Sequence, residues 1–389
     1  MKVLMLYNDY LQAGGERVSV ATEFEALRAA GVDVQMLSVS NEDLAASGAI
    51  GKIKATFPRE QARTQVAAAI AEFEPDLVHA QNLFPQLGAG AVRAIRDAGL
   101  PWVRTIRNYR KGCIAGTLVR DGQPCTDCAG SLGRLPGVIH GCYQGSRAAS
   151  VGATNYAYWD AAAENEHPPA SYILISQAMC ENIEWALNAT PNVTISHNAV
   201  SAEDRKRRRM EERRYDIAFI GRLTREKGVH IALEMARIQR SRRFIFVGSG
   251  PMLGEVEAAA VELENVECRG VLSPHETAEV MENSRLVIVP SMWEEPFGRV
   301  AAEALAYGAV PVVSSLGGLP EIAEPLDPAL VVRSSEAKDW SRTAERILCA
   351  SSIELQDRSD AANDRWRLHF SPGSLATRLA AIYSAALSL

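Results

Sequence analysis

Short apolar runs alternate with amphipathic stretches along most of the chain, the pattern expected of helices layered on parallel sheets. "KVLMLYN" (2–8) reads as a buried strand, and "GERVSVATEFEALRAAG" (15–31) as a helix closed by Gly31. "VDVQMLSV", "PDLVHAQ", "PWVRTI" and "SYILIS" predict four further strands, with helical patterns between most of them. The alternation restarts past residue 214. There "YDIAFIG", "RRFIFVG", "NVECRGV", "RLVIVP" and "AVPVVSS" predict strands, and "GVHIALEMARIQ", "PMLGEVEAAAVEL" and "RVAAEALAYG" predict helices. "SPHETAEVMENS" opens with Ser273, Pro274 and Glu276, a capping box with proline at the first helical position. From about residue 353 the pattern is helical, with no strand after it.

A chain of 389 residues is too long for one compact core. The expected fold is therefore α/β, with two doubly wound, Rossmann-like domains. The first covers residues 1–197 and the second 198–372, and a C-terminal helix (373–389) crosses back onto the first. Such sheets bind ligands outside the carboxyl ends of their strands, so two facing units would enclose a cleft. No internal repeat or low-complexity tract interrupts this pattern.

Composition changes the picture little: 47% hydrophobic and 23% charged residues are ordinary for a soluble enzyme. A formal net charge of -6 argues against a nucleic-acid partner. One basic run, "DRKRRRMEERR" (204–214), reads as a solvated interdomain loop, with contact to anionic lipid or a phosphorylated acceptor as the alternative. No run of 18 apolar residues predicts a membrane span. The N-terminal apolar stretch meets Asp9 too early for a signal peptide. The expected location is the cytoplasm, either free or peripheral to the inner membrane face, where cysteines stay reduced.

Candidate chemistry gathers in three loops of the second half. "FIGRLTREKG" places Arg222 and Lys227 just past a strand, where two cations beside a helix start can clamp a diphosphate. "VGSGP" carries Gly248 and Gly250 in a tight turn that brings backbone close to another group. "EEPFGRVAAEALAYG" sets Glu303 among Val300, Ala301, Ala302, Ala304 and Leu305. A carboxylate buried there needs hydrogen-bond donors, and the vicinal hydroxyls of a ribose supply two. Glu295, in the turn before that helix, is placed to meet the hydroxyls of a second sugar. The plainer alternative makes both carboxylates structural, capping the turn and pairing with Arg299.

Glu295 and Glu303 form an E-x7-E pair within "EPFGRVAAEALAYGAVPVVSSLGGLPEI". With "GRLTREKG", "VGSGP", the N-terminal "GGER", "PDLVHAQN" and "SHNAV" in order, the chain resembles the retaining glycosyltransferases of family 4, of GT-B type. The resemblance implies a UDP- or GDP-sugar type donor held mainly by the second domain, and a saccharide or lipid-linked acceptor held by the first. It implies that Arg222 and Lys227 hold the diphosphate, Glu303 the ribose and Glu295 the transferred sugar. Gly14 and Gly15 would form a glycine loop near phosphate and acceptor, and backbone at Phe297 and Gly298 would approach the donor. No metal is implied for catalysis. Many relatives carry a histidine where "TIRNYRKGC" has Arg107, which cannot act as a base but can hold a phosphate or a hydroxyl.

Cys113, Cys125, Cys128 and Cys142 crowd into one Gly-rich insert, giving the ligand count of a structural zinc site, with free thiols as the alternative. His140 is a further ligand candidate there, whereas His79 reads as strand-end packing. The expected function is sugar transfer in the making of a surface polysaccharide or glycolipid. A nicotinamide-dependent dehydrogenase fits poorly, because "YNDYLQAGGER" lacks G-x-G-x-x-G. A non-catalytic sugar-nucleotide sensor on the same fold is the remaining alternative.

Overall fold

The computed structural model describes residues 1–9, 14–42, 44, 51, 55–129, 134–187, 192–203 and 208–388. The start of the basic run (204–207) and the residues just before Gly14 (10–13) lie outside the described residues. The chain divides into two compact units, residues 1–198 with 375–389, and residues 199–374.

In the first unit β1 (Lys2–Asn8), α1 (Gly15–Ala29), β2 (Asp33–Val39), α2 (Glu60–Phe73), β3 (Leu77–Ala80), α3 (Gly88–Asp97) and β4 (Trp102–Ile106) follow in turn. An insert then holds β5 (Val119–Arg120), β6 (Gln123–Pro124) and α4 (Leu135–Ile139). The unit continues with α5 (Arg147–Glu166), β7 (Ser171–Leu174), α6 (Gln177–Ile183) and β8 (Val193–Ile195). The six-stranded sheet runs β2-β1-β3-β4-β7-β8. Its pairings are all parallel, with Val3 between Val34 and Leu77. β3, β4 and β7 are buried at every position, as expected where helices cover both faces of a parallel sheet.

The second unit repeats the scheme. β9 (Tyr215–Ile220), α7 (Val229–Ile238), β10 (Phe244–Val247), α8 (Leu253–Glu262), β11 (Val266–Cys268), α9 (Pro274–Glu282) and β12 (Ser284–Val289) come first. They are followed by α10 (Arg299–Ala306), β13 (Val310–Ser314), α11 (Leu319–Ala323), β14 (Val331–Val332), α12 (Ala337–Leu348) and α13 (Ser352–Arg365). The strand order β11-β10-β9-β12-β13-β14 reverses direction between β9 and β12, so the switch-point crevice lies beside the ends of these two strands. The capping box at the start of α9 forms as its sequence requires: Ser273 Oγ accepts from the Glu276 amide, and Glu276 accepts from the Ser273 amide at 2.8 Å.

The last helix, α14 (Pro372–Ala386), joins the first unit through Tyr383, whose hydroxyl lies 2.6 Å from His79 Nδ1. Arg378 donates to Ser196 Oγ at 3.2 Å and to the His197 carbonyl at 2.9 Å. His79 is fully buried, and that burial lowers its imidazole pKa to about 4, so it is neutral at neutral pH.

Three features escaped the hydrophobic pattern. β8 and β14 are too short to show a periodicity of their own. The β5–β6 hairpin turns through Asp121 (φ 53°) and Gly122 (φ 75°), and the Asp-Gly pair was its available signal. The third is a charged cluster inside the first unit. Arg104, in the middle of β4 and 6% exposed, donates to both Asp160 oxygens at 2.9 and 3.0 Å and also to Glu164. Lys111 reaches the same two carboxylates at 2.7 and 2.5 Å, and Tyr172 donates to Glu164 at 2.8 Å. Burial alone would push the Asp160 carboxyl up, yet Arg104 and Lys111 hold it well below the usual carboxylate range.

Candidate functional site

The loops leaving β9, β10 and β12 are stitched together by backbone. The Gly221 amide donates to the Val247 carbonyl at 3.0 Å, Leu223 to Ser249 at 2.8 Å, and Met292 to Glu226 at 2.8 Å. Glycine is required at these crossings. A Cβ on Gly248 would lie 1.8 Å from the Gly221 oxygen, and one on Gly228 would lie 2.0 Å from the Pro290 oxygen. The close neighbours of the Gly248 and Gly250 turn are therefore the backbones of Gly221 and Leu223, so its glycines serve loop-on-loop packing.

That packing puts Lys227, from the β9 loop, against Glu295, from the β12 loop, with Nζ 2.8 Å from Oε1. The same ammonium stands 5.2 Å from the Trp293 ring centroid. Glu295 is buried, at 7% exposure, and also accepts from the Ser291 hydroxyl. Its peptide is fixed from outside: the Gly318 amide donates to the Glu295 carbonyl at 2.8 Å. Glu294 holds the same turn by accepting from the Gly317 amide at 2.6 Å. Sequence reading passed over Glu294, whose role depends on a turn that is remote along the chain.

Glu303 departs from expectation. Its side chain keeps 23% exposure and accepts from Arg299 Nε at 2.7 Å, one turn earlier on α10. The apolar neighbours do bury most of it, and that burial pushes the Glu303 carboxyl up against the opposing pull of Arg299. The expectation of a carboxylate needing external donors is thus corrected: Arg299 meets part of that need, and of the two carboxylates Glu295 is the more enclosed. Arg222 is 66% exposed and only loosely paired, 3.5 Å from Glu226, which leaves it able to turn toward an anion. Phe297 is buried, and its ring packs against Phe370 at 5.9 Å. Gly298 caps α10 at φ 98°, where a Cβ would strike Leu319 at 2.4 Å.

The remaining expected residues lie in the first unit. Gly14 precedes α1 with extended backbone, and Gly15 is its first helical residue. Arg107 is 8% exposed and donates to Asn198 at 3.1 Å, to Glu23 at 2.6 Å and to Gln81. It was expected to offer its donors to a phosphate or hydroxyl, but three contacts with protein hold it in place, because it bridges the ends of β3 and β4 to α1. The four insert cysteines line one cavity, closed by Trp185 and Ile114. Among the described residues, however, no three His, Cys, Asp or Glu side chains stand together as a metal-binding group. Among the described residues, too, no helix is long and apolar enough to cross a membrane.

The second unit matches the family model "Glycosyl transferases group 1" over residues 200–365, and the first matches "Glycosyl transferase 4-like domain" over residues 14–136. The chain belongs to the group 1, family 4-like glycosyltransferases. It is similar to the 2-deoxystreptamine glucosyltransferase of Streptomyces kanamyceticus, 31% identical over 40% of this chain and 43% of that protein. It is also similar to the D-inositol 3-phosphate glycosyltransferase of Corynebacterium aurimucosum, 32% identical over 44% of each. These matches thus span under half the length of either relative. The fold is that of HepE from Anabaena, solved with UDP, with a TM-score of 0.65, 15% identity, and coverage of 99% of this chain and 100% of that one.

Proposed function

We propose that this protein is a retaining glycosyltransferase that moves a sugar from a nucleotide-diphosphate donor to a saccharide or glycolipid acceptor, in the building of a surface polysaccharide. The observation that carries the reading is the Lys227–Glu295 pair at the switch point of the second unit's sheet. The crevice there is where doubly wound sheets take nucleotides. The cation at the β9 loop suits a diphosphate, and the enclosed carboxylate beside it suits the hydroxyls of the sugar being transferred. Arg222 adds a second, exposed cation from the same loop, and Glu303 on α10 suits ribose hydroxyls. UDP is the nucleotide named in the HepE structure, which makes a UDP-sugar the first donor to try. The acceptors named for the two relatives, an aminocyclitol and an inositol phosphate, differ too much to select one here. The chemistry requires no metal: Arg222, Lys227 and the amides opening α10 offset the charge of the leaving diphosphate. The favoured route has that phosphate assist the incoming hydroxyl on the same face of the sugar. We place the protein in the cytoplasm, either free or peripheral to the inner membrane face.

The test is a titration with UDP and GDP, followed by incubation with UDP-sugars and an acceptor panel. Arg222→Ala and Lys227→Ala should each weaken diphosphate binding by about 1.5–3 kcal/mol, the scale of a charge-assisted contact, without loss of fold. Unchanged affinity in both variants would remove the clamp. An NMR reading of the product should show the donor's anomeric configuration kept, and inversion would rule out the retaining route.

For the insert we propose a structural zinc. What supports it is that Cys113, Cys125, Cys128 and Cys142 line one cavity, although among the described residues no three of them stand together as a metal-binding group, so holding the ion would require the thiols to draw closer. Elemental analysis of protein purified without added metal should find about one zinc per chain. A metal-free result in freshly purified, folded protein returns the cluster to free thiols.

A further inference from the structure

A cavity of about 60 Å³ opens in the first unit at the carboxyl ends of β3 and β4. Five cations line it, and they fall into two groups. Arg104, Arg107 and Lys111 are matched by Asp160, Glu164 and Glu23, all three of them buried carboxylates. Arg110 and Arg134 form no ion pair among the described residues, although Asp160 lies near enough to act on the Arg134 charge. Arg110 donates to the Ile114 carbonyl at 3.2 Å and lies over the Phe84 and Tyr143 rings at 4.4 and 5.3 Å. Arg134 donates to the Lys111 carbonyl. Each of the two has a buried Nε that meets no acceptor. The other carboxylate on the cavity wall is Glu16, which accepts from Asn108 at 3.2 Å.

We propose that this cavity is an oxyanion site, taking one carboxylate or phosphate group carried by the acceptor. Burying a guanidinium away from water is unfavourable unless an acceptor meets its N–H groups, and here two guanidinium side chains, each with one unmet N–H, line the same cavity. Guanidinium forks match carboxylate and phosphate oxygens in pairs, which fixes the orientation of a ligand as well as attracting it. Once the three matched cations are set aside, Arg110 and Arg134 against Glu16 leave one positive charge, enough for a single anionic group. Burial lowers the Arg134 guanidinium against the opposing pull of Asp160. The assignment to the acceptor rests on the glycosyltransferase reading; the affinity for an oxyanion does not.

The experiment is calorimetric titration of the full chain carrying Arg222→Ala and Lys227→Ala, so that no anion is drawn to the donor clamp. The probes are inorganic phosphate, D-glucuronate and D-glucose. Phosphate, glucuronate or both should bind, and glucose should give no heat at the same concentrations. Binding of phosphate alone identifies a phosphorylated acceptor, and of glucuronate alone an acidic sugar; either supports the site. Adding Arg134→Gln or Arg110→Gln should weaken the anion about tenfold or more, while Arg134→Lys, which keeps the charge, should retain most of the affinity. Circular dichroism identifies which variants are folded, and Arg134→Gln serves if Arg110→Gln fails to fold. Glucose binding as well as the anions, no anion binding by folded protein, or anion binding indifferent to both substitutions would overturn the proposal. UDP binding by the unsubstituted chain is scored separately, so loss of the glycosyltransferase reading and loss of this site are distinct outcomes.

Discussion

Glu295→Gln should lower turnover by about 100-fold or more, the scale on which a preorganised charge contact acts in a transition state, while affinity for the bare nucleoside diphosphate is unchanged or tighter. The reason lies in the pair it forms. Lys227 Nζ is 2.8 Å from Glu295 Oε1, so an incoming diphosphate competes with that carboxylate for the same ammonium. Glutamine keeps the shape and one acceptor oxygen but releases the charge of Lys227 to the phosphates. What it removes is the enclosed negative charge that would strengthen its hold on the sugar as positive charge develops there. Glu303→Gln should behave oppositely. Its carboxylate is proposed to hold ribose, so it should weaken UDP itself by about 1–3 kcal/mol, with the loss carried through to the intact donor. Calorimetry with UDP alone separates the two variants. Equal losses of UDP affinity in both, or none in either, would show that the two carboxylates do not divide the donor in this way.

Arg104→Met should destabilise the first unit by about 3–5 kcal/mol, the scale on which breaking one partner of a buried ion pair acts. Arg104 and Lys111 together balance Asp160 and Glu164, with side-chain exposures of 8% and 11% for the cations, 4% for Asp160 and 1% for Glu164. Methionine fills similar volume but leaves two buried carboxylates with one ammonium. Urea denaturation followed by far-UV circular dichroism should show an early transition in the variant, with UDP affinity measured below that transition unchanged. Adding Glu164→Gln should recover part of the loss, because the number of buried charges again balances. A shift smaller than about 1 kcal/mol would mean that the cluster reaches water more freely than its burial indicates.

The core strands were legible because a parallel strand covered on both faces must be apolar throughout, and "LVHA", "FIFV" and "RLVIVP" are nearly so. The capping box at Ser273 was legible because it is closed within four residues. The candidate chemistry was visible where a residue type conflicted with its surroundings. Glu303 in an alanine-rich helix and the pair Arg222 and Lys227 after a strand are examples. Arg104 in the middle of "WVRTI" was a conflict of the same kind that went unread, and its acidic partners at Asp160 and Glu164 carry helical spacing.

Local sequence by itself therefore determined which segments are strands and helices and that they form two doubly wound units, because hydrophobic periodicity and caps act over a few residues. It also supplied the residues from which the site is built. What only the tertiary structure decided is how those residues divide their contacts. Lys227 meets Glu295 across 68 positions of chain, Arg107 is taken by Glu23 across 84, and the turn of Gly248 packs on Gly221. Each of these depends on which strands become neighbours in the sheet and on how closely backbones approach where loops cross. Charge, reach and burial at such crossings are properties of the assembled loops, and no window of sequence contains both partners.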